Sequence, residues 1–125
     1  MMFFIICMFF VTSVCYGLDK AQLEKFLKTK KCQKCDLSGA DLSGRNLSGA
    51  NLNGANLASA DLTGTKLQGA DLAGTDMTLA NLAGANLTKA KLNKANLAGA
   101  NLAGAVWTDG KKCKERSVGM CKSRR

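Results

Sequence analysis

Ala40-Asp41-Leu42-Ser43-Gly44 returns as Ala50-Asn51-Leu52-Asn53-Gly54, as Ala70-Asp71-Leu72-Ala73-Gly74 and as Ala100-Asn101-Leu102-Ala103-Gly104. All four belong to one register: from Leu37 to Leu102 every fifth residue is leucine, Met77 excepted, and the residue two before it is nearly always small. A period of five fits neither the helical period of about 3.6 nor the strand period of about 2. Most units also hold a glycine, which costs up to about 1 kcal/mol inside a helix. So short a unit buries its leucine only by stacking on copies of itself, and the pattern predicts a solenoid.

If each unit makes one side and one corner, four units close a turn, and neighbouring turns pair through backbone hydrogen bonds at about 4.8 Å. The fourteen leucine-type centres from Leu37 to Leu102 then give about three and a half turns, roughly 17 Å of rod. Residues twenty apart stack into four ladders: Leu37, Leu57, Met77 and Leu97; Leu42, Leu62, Leu82 and Leu102; Leu47, Leu67, Leu87 and Trp107; and Leu52, Leu72 and Leu92. Each buried leucine should contribute about 1.5–3 kcal/mol. Trp107, in a leucine position of the last partial turn, reads as an aromatic plug over the end of the core. Arg45 takes a small-residue slot; because an unpaired buried guanidinium is very costly, it is expected to reach out past the core.

In this motif residues 35–109 resemble the pentapeptide-repeat family. The resemblance implies an all-β solenoid, a right-handed quadrilateral β-helix, with the central leucine and the small residue two before it pointing inward and the other three positions facing solvent. The flanks resemble those of small exported bacterial members, in which a cysteine pair precedes the D-L-S-G start and a W-x-D-G…C…C tail follows. Some members of the family imitate the acidic surface of duplex DNA and act on DNA gyrase. That role calls for a long acidic rod and a cytoplasmic address, and this chain has a short basic one with an export-like leader.

Residues 1–17, MMFFIICMFFVTSVCYG, carry no charge and read as a signal peptide cut after Gly17, although no basic residue precedes the apolar run. An uncleaved membrane anchor is the rival, but a span needs about 20 apolar residues and this run is shorter. The expected layout is therefore a signal peptide (1–17), a capping helix and cysteine turn (18–34), the repeat coil (35–109) and a basic C-terminal cap (110–125). Within Asp19–Lys30, Asp19 and Gln22 have capping-box spacing and Leu23, Phe26 and Leu27 share a face, which is expected to lie on the first turn.

Four cysteines lie beyond the leader, Cys32, Cys35, Cys113 and Cys121. Outside the cytosol the default is two disulfides, with three connectivities open. The rod keeps its ends apart and a bridge needs Cα atoms within about 7 Å, which favours Cys32 with Cys35 and Cys113 with Cys121. The chain has no histidine, so the commonest general base and metal ligand are absent. Cys32-Gln33-Lys34-Cys35 lacks both the βαβ context of a redox dithiol and the second C-x-x-C of a thiolate zinc site. The reading is a protein without catalytic residues, cofactor, metal or small-molecule substrate.

The formal net charge is +9. Between Asp36 and Thr108, five aspartates cancel Arg45, Lys66, Lys89, Lys91 and Lys94, leaving the excess in the flanks. Lys89, Lys91 and Lys94 are expected to crowd one corner of the final turn and, with Lys66, form the candidate anion-binding surface. The function expected is an exported, periplasmic or secreted, interaction scaffold. A binder of anionic envelope surfaces is the alternative, nucleic acid is disfavoured, and membrane contact is expected only through the leader.

Overall fold

The structure, a computed structural model, describes residues 19–122; the expected leader lies outside them, as do Leu18 and residues 123–125. The first element is helix α1, Lys20–Thr29, whose N-cap Asp19 accepts hydrogen bonds from the N–H groups of Ala21 and Gln22. It ends at Lys30, where φ is 56° and the cap N–H donates to the Phe26 carbonyl. Phe26 is wholly buried, and Leu23 and Leu27 pack half-buried beside it against the coil core. The expected capping box forms differently. Gln22 Nε2 donates to the Asp19 carboxylate at 2.9 Å, while its Oε1 accepts from the Asp36 N–H at 3.0 Å. Its side chain thus ties helix to coil.

The rest of the chain winds into a coil in which each residue before a leucine pairs in parallel with its counterpart twenty residues on, as Asp36 with Asn56 and Asp41 with Asp61. Four five-residue units therefore make one turn, as the repeat predicts. The coil starts one unit earlier than residue 35: Lys31 pairs with Asn51, and Cys32, 6% exposed, takes the leucine place above Leu52. The glycine position is the third residue of a β-turn, as where the Ala40 N–H bonds the Leu37 carbonyl across Gly39 with φ 70°.

Accounting for the five N–H groups of a unit explains its consensus. The leucine and glycine N–H groups donate to the following turn, as Leu37 to Asn56 O (2.8 Å) and Gly39 to Ala58 O (2.9 Å). The Asp/Asn N–H donates to the preceding turn, as Asn56 to Cys35 O (2.9 Å), and the alanine N–H closes the β-turn. The fifth, after the leucine, donates to the Asp/Asn side chain, as Ser38 to Asp36 Oδ1 and Ala58 to Asn56 Oδ1, both 3.0 Å. This last bond corrects the expectation that the position merely faces solvent. An Asx turn is why aspartate or asparagine recurs there.

In the leucine register, the residues from Leu37 to Leu87, Met77 included, and Leu102 are buried; Leu92, Leu97 and Trp107 are only half-buried. Arg45 is exposed, as expected. Thr65 and Thr75 fill small-residue slots at 0% exposure, their hydroxyls donating to the Leu42 and Leu52 carbonyls at 3.0 and 2.9 Å. After Trp107 the chain doubles back antiparallel, pairing Val106 with Lys112 and Asn101 with Val118.

Candidate functional site

Ser43 donates to Asp41 through both its hydroxyl and its N–H, and Thr78 does the same to Asp76. These bonds, the hydroxyl's first, hold both carboxylates below their ordinary range. A lowered folded pKa gives stability that is present above the unfolded value, about 3.9, and is lost as pH falls through the folded one. The double variant Asp41→Asn, Asp76→Asn keeps both Asx turns, as Asn86 does with Thr88. It should retain the fold at pH 7 and lose less stability than the parent in urea melts between pH 4 and pH 2.

Lys91 lies on the side of the coil carrying Leu92, paired with Asp71. Lys89 and Lys94 are at the two corners bounding that side, with φ 61° and 62°. The three lysines thus span a side and both its corners, rather than crowding the one corner expected. Lys66 is apart from them, on the preceding side and one turn earlier, between Asn46 and Asn86. All four side chains are exposed.

Each of these lysines occupies a place where the coil prefers another residue. Lys89 and Lys94 take left-handed turn positions that suit glycine. Lys66 and Lys91 lack the Asx oxygen, so the N–H groups of Gln68 and Asn93 have no partner among the described residues. Lys66→Asn should restore that bond and raise stability by about 0.5–1 kcal/mol, read from the urea midpoint. The four lysines therefore act against local stability.

A second basic site forms where α1 meets the coil. Docking of α1 on the Cys32–Cys35 turn leaves an open groove of about 540 Å³, lined among others by Gln22, Lys25, Lys31 and Lys34. Its signal in the sequence was the leucine register itself, which continues one step back from Leu37 to Cys32 and so places Lys31 and Lys34 on the coil. At the other end, Lys112, Cys113, Lys114 and Glu115 line a smaller cavity of about 290 Å³.

The cysteines meet in two local pairs. Cα atoms are 5.4 Å apart for Cys32 and Cys35 and 5.1 Å for Cys113 and Cys121, both at bridging distance. Among the described residues no group of three or more cysteines and carboxylates is placed to hold a metal, and no helix is long and apolar enough to cross a membrane.

A family model for pentapeptide repeats matches residues 35–74 and 80–106 in eight copies, more than half of the chain. The chain belongs to the pentapeptide-repeat family. The unmatched gap holds Met77 and Leu79, two departures from the consensus. Among solved structures it is similar to HetL, a pentapeptide repeat protein involved in heterocyst differentiation regulation from the cyanobacterium Nostoc sp. strain PCC 7120. Identity is 39% and the TM-score 0.42, over 61% of this chain and 40% of HetL, so the chain spans less than half of HetL's length. Another pentapeptide repeat protein from Nostoc PCC 7120 is 33% identical with a TM-score of 0.40, over 69% of this chain and 76% of that one. One from the Arabidopsis thaliana thylakoid lumen is 22% identical with a TM-score of 0.32, over 71% and 85%. No curated protein matches the chain.

Proposed function

We propose that this chain is an exported, non-enzymatic scaffold: a right-handed quadrilateral β-helix stapled at both ends by disulfides, which displays side chains for a partner to dock on. The observation that carries the reading is the pair of cysteine contacts, one beside α1 and one closing the C-terminal cap. Such bridges persist in oxidising compartments and help small domains whose cores are limited. The uncharged leader-like residues 1–17 agree with that address. The walls of the coil offer exposed asparagine, aspartate and small residues on regular spacing, a surface suited to contact rather than to chemistry.

The test is the mass of the protein recovered outside the cytosol, before and after alkylation under denaturing conditions without reductant. Cleavage near Gly17 and no alkylated cysteine are expected. Four alkylated cysteines, or retention in the cytosol, would overturn the stapled, exported reading.

The second reading, a binder of anionic envelope surfaces, is supported by the placement of Lys66, Lys89, Lys91 and Lys94 at positions costly to the fold. It predicts retention on heparin or anionic vesicles that falls steeply with salt, because exposed charges are screened over about 8–10 Å at physiological salt. No retention at low salt eliminates it. A gyrase-directed DNA mimic is disfavoured by the net charge of +9, and no inhibition of supercoiling is expected.

A further inference from the structure

Half of the last rung of the coil is closed and half is open. On the Leu102 and Trp107 sides the cap covers the edge: the Leu102 N–H donates to Ser117 O, the Trp107 N–H to Lys111 O, and Cys113 and Gly119 donate to Ala105 O and Ala100 O. On the two preceding sides, from Ala90 to Leu97, no described residue does this, and the cap reaches back only as far as Gly119, which lies beside the Gly99 nitrogen. The N–H groups of Leu92, Lys94 and Leu97 and the carbonyls of Ala90 and Ala95 are those that pair with a following turn elsewhere, and here they meet no backbone partner among the described residues. The core below is uncovered too, since Leu92, Ala95 and Leu97 are half-buried where their counterparts one turn earlier, Leu72, Thr75 and Met77, are fully buried.

We infer that this open half-rung is a docking edge for an extended, acidic polypeptide segment that adds one more rung to the coil. The segment's backbone would accept from Leu92, Lys94 and Leu97 and donate to Ala90 and Ala95, as each turn already does to the one before it. Charge selects the occupant. Lys91 stands on the open side itself, bridged through its backbone to Asp71 one turn earlier, and an acidic residue in the added rung would lie directly opposite it, with Lys94 and Lys89 at the adjoining corners. A second copy fits poorly. On its N-terminal edge Gln22 of α1 already takes the Asp36 N–H, and tail-to-tail contact would oppose Lys91 and Lys94 to themselves. This inference deepens the scaffold reading by naming the partner class, and it rests on docking rather than on export.

The probe is a capped ten-residue peptide of two repeat units, Ala-Asp-Leu-Ala-Gly-Ala-Asp-Leu-Ser-Gly, added to the oxidised chain and followed by amide hydrogen exchange and calorimetry. Protection of the Leu92, Lys94 and Leu97 amides on binding is expected. Affinity should fall about tenfold or more when the peptide aspartates become lysine, and likewise in the Lys91→Glu, Lys94→Glu variant, with the lysine peptide recovering binding to that variant. Both substitutions are at exposed positions, and unchanged circular dichroism verifies the fold.

Three results overturn the inference: no binding, binding or heparin retention that leaves these amides unprotected, and protection of the same amides in the free chain. In the last case sedimentation separates a second copy on the edge from the chain's own end. None of these outcomes bears on the thiol and cleavage test above, so the scaffold reading and its docking edge stand or fall separately.

Discussion

Leu72→Asp is expected to abolish the folded coil. Leu72 is 0% exposed and lies between Leu52 and Leu92 in one of the four ladders, with an alanine or threonine slot on either side of it. The change removes about 1.5–3 kcal/mol of apolar burial. It also places a carboxylate where no cation can reach it, a penalty of several kcal/mol even after the group protonates. Together these match the whole stability of a typical small domain, about 5–15 kcal/mol. A solenoid has no second core to hold the remaining turns in register. Circular dichroism should lose its β signal and urea melts their cooperative transition. A folded, cooperative variant would mean that the leucines do not face inward.

Phe26→Ala is expected to cost about 3–5 kcal/mol, the usual range for a fully buried phenylalanine. Phe26 is the largest side chain that α1 contributes to the core, and its carbonyl receives the helix-capping N–H of Lys30. With ten residues, α1 is shorter than the roughly 12–15 at which isolated helices become even marginal, so it is helical because it is docked. The variant should therefore show two effects at once. The urea midpoint falls, and the α1 amides lose protection from hydrogen exchange before those of the central turns. Equal loss along the whole chain would show instead that α1 and the coil unfold only as one unit.

These expectations differ in how much of them a reader of the sequence could reach. The inward register of Leu72 follows from the five-residue period alone, because a leucine repeated at fixed spacing has one way to leave water. Stacking of α1 on the first turn also follows from Leu23, Phe26 and Leu27 sharing a face. The role of Gln22 does not. Capping-box spacing is a local signal, whereas the bond from Asp36 to Gln22 spans fourteen residues and exists only once the helix has docked. The Asp/Asn position was legible as polar but not as structural, since polarity alone does not separate a solvated side chain from one that accepts a backbone N–H.

The lysines divide the same way. Their enrichment beyond the coil centre is a matter of counting, but their arrangement depends on winding. Lys91 and Lys94 are close in sequence and share the open edge; Lys31 and Lys34 enter the N-terminal groove because Cys32 takes a leucine place. Lys66 follows the same composition and lies apart. What places it there is its position in the turn, not its charge.

The period of the leucines, the small residues beside them and the turn-forming glycines determined by themselves that this chain coils, with what cross-section and which side chains inside. They could do so because each contact repeats every twenty residues and is therefore written many times over. Where the coil stops repeating, no such redundancy exists. Only the tertiary structure decided that the cap turns back over the Leu102 and Trp107 sides and that no described residue bonds the edge from Leu92 to Leu97. That choice depends on where a single non-repeating segment finds its hydrogen bonds, and a local pattern of residues does not encode it.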